Sequence, residues 1–351
     1  MTVGDCGKRR ITKQLSLDVS LVSQTPSNDS EAVTACPHAD NRPVGKRVLV
    51  TGGAGFIGSH LVDALVAENE VTLLDDLSSG QRSNVHPDAR FIEGDVRDRS
   101  TVADAVAETD LIFHQAGLVS VEAATADPPR SNAINAGGTV TVLDCARKAD
   151  ARVVTASSAA IYGQPEHVPI SESEPVAPQS PYGADKLAAD QYTRLFADLY
   201  GMETVALRYF NVYGPGQSAA SYSGVITTFL DQAEAGEALT IDGDGSQTRD
   251  FVHIEDVVEA NMRAAETDHV GLAYNVGTGE ETSINDLAAA VCEVRDREPA
   301  VTHGRARPGD VDRSCADISR AREKLGFEPT VSLRTGLKTV RERPDRRTDT
   351  V

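Results

Sequence analysis

Tyr182 and Lys186 stand four residues apart in PYGADKLAADQYTRLFADLYG, a segment of helix-like apolar spacing, so the phenol and the ammonium share one helix face. A phenol ordinarily ionises near pH ~10, and a cation one turn away stabilises the phenolate enough to make it a usable base. The chemistry this pair suits is removal of a hydroxyl proton. A surface lysine beside a tyrosine would look the same, so the pair gains its weight from the rest of the chain. Upstream, Arg152 to Thr155 reads as a strand running into ASSAAIYG at 156–163, which puts Ser157 and Ser158 at a strand's carboxyl end, where open sheets bind ligands. Ser158 is placed to hydrogen-bond a reacting hydroxyl; the ordinary alternative is a turn serine that satisfies backbone. Neither serine has a His–Asp partner set for hydrolysis, and no local histidine pair points to a metal. His114 and His253 read as structural.

The elements that must position this pair begin at Arg47 to Thr51, an apolar strand that runs into TGGAGFIG at 51–58. Gly53, Gly55 and Gly58 satisfy G-x-G-x-x-G, and Gly52, Gly55 and Gly58 also recur every third residue. The helix that follows carries Ile57, Leu61 and Leu65 with Val62 and Val66 beside them as one apolar stripe. Glycines between a strand and such a helix let a pyrophosphate approach the unpaired amides of the helix N-terminus. A second strand, Glu70 to Leu74, ends in Asp75 and Asp76, about 20 residues after the first glycines, where a carboxylate accepts the ribose hydroxyls of a dinucleotide. Asp75 takes that role. Its charge repels the extra phosphate of NADP, so the expected cofactor is NAD, whose positive nicotinamide joins Lys186 in stabilising tyrosinate.

Strand-length apolar runs alternate with helical segments, and this predicts an α/β fold: a Rossmann-type doubly wound parallel sheet with a smaller C-terminal substrate-binding lobe. Residues 1–45 read as a disordered extension, rich in Ser, Thr, Asp and Asn with no sustained period. Residues 46–213 read as the cofactor domain with a returning segment near 251–266, and residues 214–250 and 267–351 as the substrate lobe. The formal charge of −19 disfavours a nucleic-acid or anionic-membrane partner. Five single cysteines without a CxxC pair indicate neither a disulfide framework nor a zinc site. No run approaches the ~18 apolar residues of a membrane span, and no signal-peptide hydrophobic region is seen, so the expected location is the cytoplasm.

TGGAGFIGSH, LDDLSSG, EGDVRD, HQAG, SSAAIYG, the Tyr182 to Lys186 pair, LRYFNVYGPGQ, QTRDFVHIEDV, YNVGTG and RPGDVDRS follow one another in this order. With them the chain, over about residues 46 to 340, resembles the extended short-chain dehydrogenase/reductase family, in its NAD-dependent epimerase/dehydratase branch. The resemblance implies that Phe56, Ile57, Asp95, Val96, Gln115, Ala116, Gly117, Asn135 and Phe210 line the NAD site along with Gly52, Gly55, Gly58, Asp75 and Asp76. It implies further that Asn211, Val225, Leu239, Thr240, Arg249, Phe251, Arg307 and Asp310 hold the diphosphate of a nucleotide-linked sugar, most simply a UDP-sugar. Two arginines distant in sequence suit that task through multidentate hydrogen bonds. The same resemblance implies a homodimer formed by the helices around Asn132 to Lys148 and Tyr182 to Tyr200.

A 4-keto sugar formed in such a site can be reduced on its other face, dehydrated or decarboxylated. Relatives that dehydrate or decarboxylate resemble a pattern with an acid before the Tyr-Gly turn, whereas this chain has Ala159 and Ala160 there. Methyl groups move no protons, so 4-epimerisation is the expected reaction. A one-way sugar-nucleotide dehydrogenase or ketosugar reductase would use the same pair, and a non-catalytic NAD-binding regulator is the reading from another class. Seven residues beyond the phosphate arginine, related epimerases resemble a gate over the sugar's 2-substituent. Here that position is Ser314, small enough for an acetamido group, so both acetylated and plain UDP-hexoses are expected substrates.

Overall fold

The computed structural model describes residues 42–217, 224–298, 300–307 and 309–341. In chain order the first half comprises β1 (Arg47–Thr51), α1 (Phe56–Leu65), β2 (Glu70–Asp75), β3 (Arg90–Glu93), α2 (Arg99–Val106) and β4 (Leu111–His114). There follow α3 (Val121–Ala126), α4 (Pro128–Asn132), a π-helical segment Ala133–Gly137, α5 (Gly138–Ala149), β5 (Arg152–Ser158), α6 (Pro181–Tyr200) and β6 (Thr204–Tyr209). The second half holds β7 (Asn211–Tyr213), α7 (Val225–Ala235), β8 (Leu239–Asp242), β9 (Thr248–Arg249), β10 (Phe251–His253), α8 (Ile254–Glu266) and β11 (Leu272–Val276). The last elements are β12 (Thr282–Ser283), α9 (Ile284–Val294), β13 (Val301–Gly304), α10 (Ser319–Leu325) and α11 (Leu333–Thr339).

Seven strands form one sheet in the order β11-β6-β5-β4-β1-β2-β3, and every pairing in it is parallel. Strand residues alternate between its faces, and because helices cover both, both faces are apolar. Val48 and Val50 of β1 pack with Leu61 and Leu65 of α1 and Val257 and Ala260 of α8. Leu49, between them, joins Val102 and Val106 of α2, Val142 and Leu143 of α5 and Phe196 of α6 on the other face. The chain reverses direction across the sheet between β1 and β4, and the carboxyl ends of the strands at such a switch point are where open sheets form their ligand crevice.

A second core unites Ile226, Phe229 and Leu230 of α7, Leu239 and Ile241 of β8, Leu287 and Val291 of α9 and Leu337 of α11. The sequence reading assigns all of 267–351 to this lobe, and two elements correct it. Strand β11 pairs with β6 as the edge of the main sheet, and Ala321, Leu325 and Phe327 in and just after α10 pack into the main core. Helix α8 is the reason: it provides the long crossover that a strand parallel to β6 requires. A further link joins distant parts, for Ile170, in the loop before α6, bridges to Ala316 in parallel fashion. Ile170 N donates to Cys315 O at 2.8 Å, and Asp317 N to Ile170 O at 2.9 Å. Residues 1–41 of the expected N-terminal extension lie outside the described residues. Its last residues are tied to the body, with Asn69 Nδ2 donating to Pro43 O at 2.9 Å and Gly45 N to Glu68 O at 2.8 Å. Among the described residues no helix is long and apolar enough to cross a membrane.

Candidate active site

At the end of β1 the glycine loop folds by necessity rather than preference. Gly52 has φ of +69°, and a Cβ there would lie 2.7 Å from Ala116 N in the loop after β4. Only glycine combines that left-handed turn with so close a backbone approach. A Cβ on Gly58 would collide with Gly52 O, so α1 starts directly against the loop. Helix α1 begins at Gly55 without a side-chain cap, and its first turn carries no acidic residue. Its leading amides therefore face the crevice, the arrangement that accepts a pyrophosphate.

Asp75 closes this cradle. Its carboxylate is 7% exposed and accepts from Ala54 N at 3.0 Å and Leu77 N at 2.8 Å, while Asp76 turns outward to Ser78. Burial pushes the Asp75 carboxyl up, and the two backbone donors pull it part of the way back. Beyond β4, Gln115 Nε2 donates to Tyr209 Oη at 3.1 Å, Ala116 N to Thr51 Oγ1 at 3.3 Å, and Asn135 binds Leu118 through both ends of its amide. Val96 packs against Gly138, and Asp95 is held by Arg97 in an ion pair at 2.5 Å. Phe56 and Ile57 are half-buried against the main core, and Phe210 is buried beside Tyr162 and Ile170.

Helix α6 begins with Ser180 as its cap, accepting from Gly183 N, and with Pro181 in its first turn. This aims the next turns at the end of β5. Lys186 is buried, and its Nζ donates to Ala156 O at 2.9 Å, while Tyr182 stands half-buried one turn earlier on the same helix. Burial pulls the Lys186 ammonium down to about 8, against a rise from Asp185. Ser158 ends β5, and its Oγ accepts from Ala160 N at 3.2 Å, capping the short 3-10 turn Ala159–Ile161. His114 sits between Thr51 Oγ1 and Thr139 Oγ1 and is held neutral by burial, while His253 caps α8, both structural tasks.

The substrate set divides. Asn211, Arg249, Phe251 and Ser314 gather where β7, β9 and β10 adjoin the segment around 310–316: Asn211 N donates to Asp250 O, and Ser314 N to Thr248 O. Val225 starts α7 just after residues 218–223, which lie outside the described residues. Leu239 is corrected, since its side chain fills the lobe core at 1% exposure and its N donates to Ala300 O at 2.8 Å, which leaves the neighbouring exposed Thr240 as the one of the two open to a ligand. The two arginines are not bare cations: Arg249 pairs with Asp310 and Arg307 with Asp242, each at 2.5 Å. Sequence reasoning missed Asp250, whose buried carboxylate accepts from Thr278 N, Gly279 N and Ala316 N and so holds three loops of this region together. Its only signal was a second charge beside Arg249, directly before Phe251.

A doubly wound sheet with a glycine cradle, a buried carboxylate at the end of β2 and a Tyr/Lys helix against the end of β5 is the arrangement of a dinucleotide-dependent oxidoreductase-type fold. The family model for the NAD dependent epimerase/dehydratase family matches residues 48–277, and the chain belongs to that family. It is 40% identical over 298 residues to the putative UDP-glucose 4-epimerase of Methanocaldococcus jannaschii, spanning 84% of this chain and 96% of that one. To the UDP-glucose 4-epimerase of Mycolicibacterium smegmatis it is 41% identical over 304 residues, 84% and 97% of the two chains. Among solved structures it resembles the UDP-N-acetylglucosamine 4-epimerase from Methanobrevibacter ruminantium M1 in complex with UDP-N-acetylmuramic acid. There the TM-score is 0.81 at 37% identity, covering 84% of this chain and 97% of that one.

Proposed function

We propose that this protein is an NAD-dependent 4-epimerase of UDP-linked hexoses. The observation that carries the reading is the buried Lys186, fastened to the Ala156 carbonyl under the end of β5 one turn from Tyr182. Tyr182 oxygen takes the proton of the sugar's 4-hydroxyl as a 4-ketone forms, and returns it once the carbon is reduced on its other face. Bound NAD supplies the acceptor and then the donor of the C4 hydride. Lys186 holds the phenolate charge, and Ser158 orients the hydroxyl. The glycine cradle and Asp75 would hold the pyrophosphate and ribose of the cofactor, with Gln115, Asn135 and Phe210 lining the rest of its site. Arg249 and Arg307 exchange their carboxylate partners for the substrate diphosphate.

Dehydration needs a further acid, and the turn after Ser158 presents only Ala159 and Ala160. Ser314 is 9% exposed and turned inward between Arg313, which points out to Glu281, and the buried Cys315. That placement supports the Ser314 gate reading and activity on UDP-GlcNAc and UDP-GalNAc as well as UDP-glucose and UDP-galactose. Tyr192, Leu195 and Leu199 leave an apolar stripe open on α6, 41%, 42% and 62% exposed, which supports a homodimer through α5 and α6. The cytoplasm is the proposed location.

The test is interconversion of each UDP-sugar pair by purified protein with no NAD added. An epimerase regenerates its cofactor and reaches equilibrium from either side. Turnover only with stoichiometric NAD would make it a dehydrogenase instead.

A further inference from the structure

Asp185 immediately precedes Lys186 and is 5% exposed, yet the proton transfer above has no use for it. A carboxylate withdrawn from water is costly unless it is paired or hydrogen-bonded. Ser131 Oγ donates to its Oδ2 at 2.5 Å and Asn132 Nδ2 to its Oδ1 at 2.9 Å, so both oxygens are occupied, but by neutral groups at the end of α4. The charge itself is left for something nearby.

The hydrogen bonds then run on in a closed path. Ser131 Oγ accepts from Asn135 Nδ2 at 3.3 Å, and Asn135 grips Leu118, its Oδ1 accepting from Leu118 N at 2.9 Å and its Nδ2 donating to Leu118 O at 3.1 Å. The path returns to Lys186 at Gly117, where a Cβ would lie 2.8 Å from Asn135 Oδ1 and 3.4 Å from Lys186 Nζ. The residue before the ammonium thus anchors the amide that faces that ammonium across Gly117.

We infer that Asp185 is a positioning residue for Lys186: its charge keeps the neighbouring ammonium protonated, and its bonds to Ser131 and Asn132 hold Asn135 and the Gly117 turn in place against it. This rests on the proposed Tyr182 and Lys186 chemistry. The other groups around Lys186 do not supply the charge. β5 offers the Ala156 carbonyl, and β4 offers His114, which burial and then Lys186 push down to about 3. Ser131, Asn132 and Asn135 are uncharged, and Tyr182 is one turn back on α6. Asp190, one turn further along α6, is engaged by Arg208 of β6 and by Arg194. While Tyr182 keeps its proton, Asp185 is the charged group that acts to raise Lys186 against its burial.

Lysine labelled with carbon-13 at Cε reads the protonation of Lys186 directly in the NAD-loaded protein. The chain has only seven lysines, and Lys186→Arg identifies the signal by its loss. Asp185→Asn keeps the size and one accepting oxygen but removes the charge, so the Lys186 midpoint is expected to move to lower pH, and the alkaline limb of turnover with it. Asp185→Glu, which keeps the charge, should restore the parent midpoint. If Asp185→Asn fails to fold, Asp185→Ser, neutral and roomy enough for a water, must show the same downward move. An unmoved midpoint in a neutral variant overturns the inference, even where turnover falls, because a merely structural role costs activity without altering the lysine. The catalytic reading fails separately, through unimpaired turnover in Tyr182→Phe, while the titration still reports on Asp185.

Discussion

Arg208 of β6 and Asp190 of α6 form a buried two-point ion pair, Nε to Oδ2 at 2.9 Å and NH2 to Oδ1 at 3.1 Å, with side chains 4% and 0% exposed. Asp190 also accepts from Ser157 Oγ at 3.0 Å, and Arg208 donates to Tyr162 Oη at 2.8 Å. Ser157 adjoins Ser158, so this pair locks the end of β5 to the helix that carries Tyr182 and Lys186.

Breaking it should be expensive. Burial pushes the Asp190 carboxyl up, but Arg208 and Arg194 outweigh that and hold it below its ordinary range. A carboxyl lowered on folding contributes stability that is present in full above its unfolded value, near ~4, and is lost as pH falls through the lowered folded value. Arg208→Met strands that charge and is expected to cost about 3–5 kcal/mol at neutral pH. Urea melts of parent and variant should show the gap narrowing in acid. A gap independent of pH would assign the cost to packing instead.

Asp75→Ala should weaken NAD and reduce its preference over NADP, because the ribose acceptor and the charge that repels a further phosphate both disappear. In the parent, burial has raised the Asp75 carboxyl, so NAD affinity is expected to fall with acidification from a pH above the ordinary Asp range. Fluorescence titration of both cofactors across pH checks this. Unchanged selectivity would move the role to Asp76.

Tyr182→Phe should lower interconversion by about 10²–10⁴-fold while NAD stays bound, since the ring remains and the base is gone. Lys186→Ala should be crippled at neutral pH and recover in part at high pH, where an unassisted phenol ionises more readily. A pH profile matching that of the parent would dismiss the lysine from the mechanism.

At the sugar end, Ser314→Tyr should depress turnover of the acetylated pair by about tenfold or more while sparing UDP-glucose and UDP-galactose. Initial rates on both pairs decide it. Equal losses would make Ser314 a packing residue, and a parent inactive on acetylated sugars would end the gate reading.

The cofactor side was legible because its signals are local. The glycine spacing lies between a strand and an amphipathic stripe, Asp75 ends the next strand, and Tyr182 and Lys186 are one turn apart. The small lobe was less so. Strand β11 belongs to the main sheet because a long helix carries it back to β6, and nothing within LAYNV states which sheet it joins. Leu239 and Thr240 are neighbours in sequence, but strand alternation sends one into the core and the other outward. The partners Asp310 and Asp242 for the two arginines, and Arg208 for Asp190, come from separate elements and emerge only on folding. A charge inside an apolar run, as with Arg208 in VALRYF, was the one trace these networks left.

The bridge between Ile170 and Ala316 gives the enzyme an order of assembly in time. The loop before α6 is held by main-chain bonds to residues 315 and 317, so a nascent chain makes α6 long before the segment that seats that loop exists. At ribosomal speeds of about 5–20 residues per second, the intervening stretch takes roughly 7–30 seconds to emerge. Through that interval β6, α8 and β11 are made as well, so the loop is seated only after every strand of the main sheet exists. Synthesis halted before residue 315 would leave all seven strands of the sheet made, but the loop before α6 unseated and the main core short of Ala321, Leu325 and Phe327, so this late strip of the chain acts as the clasp that ends maturation.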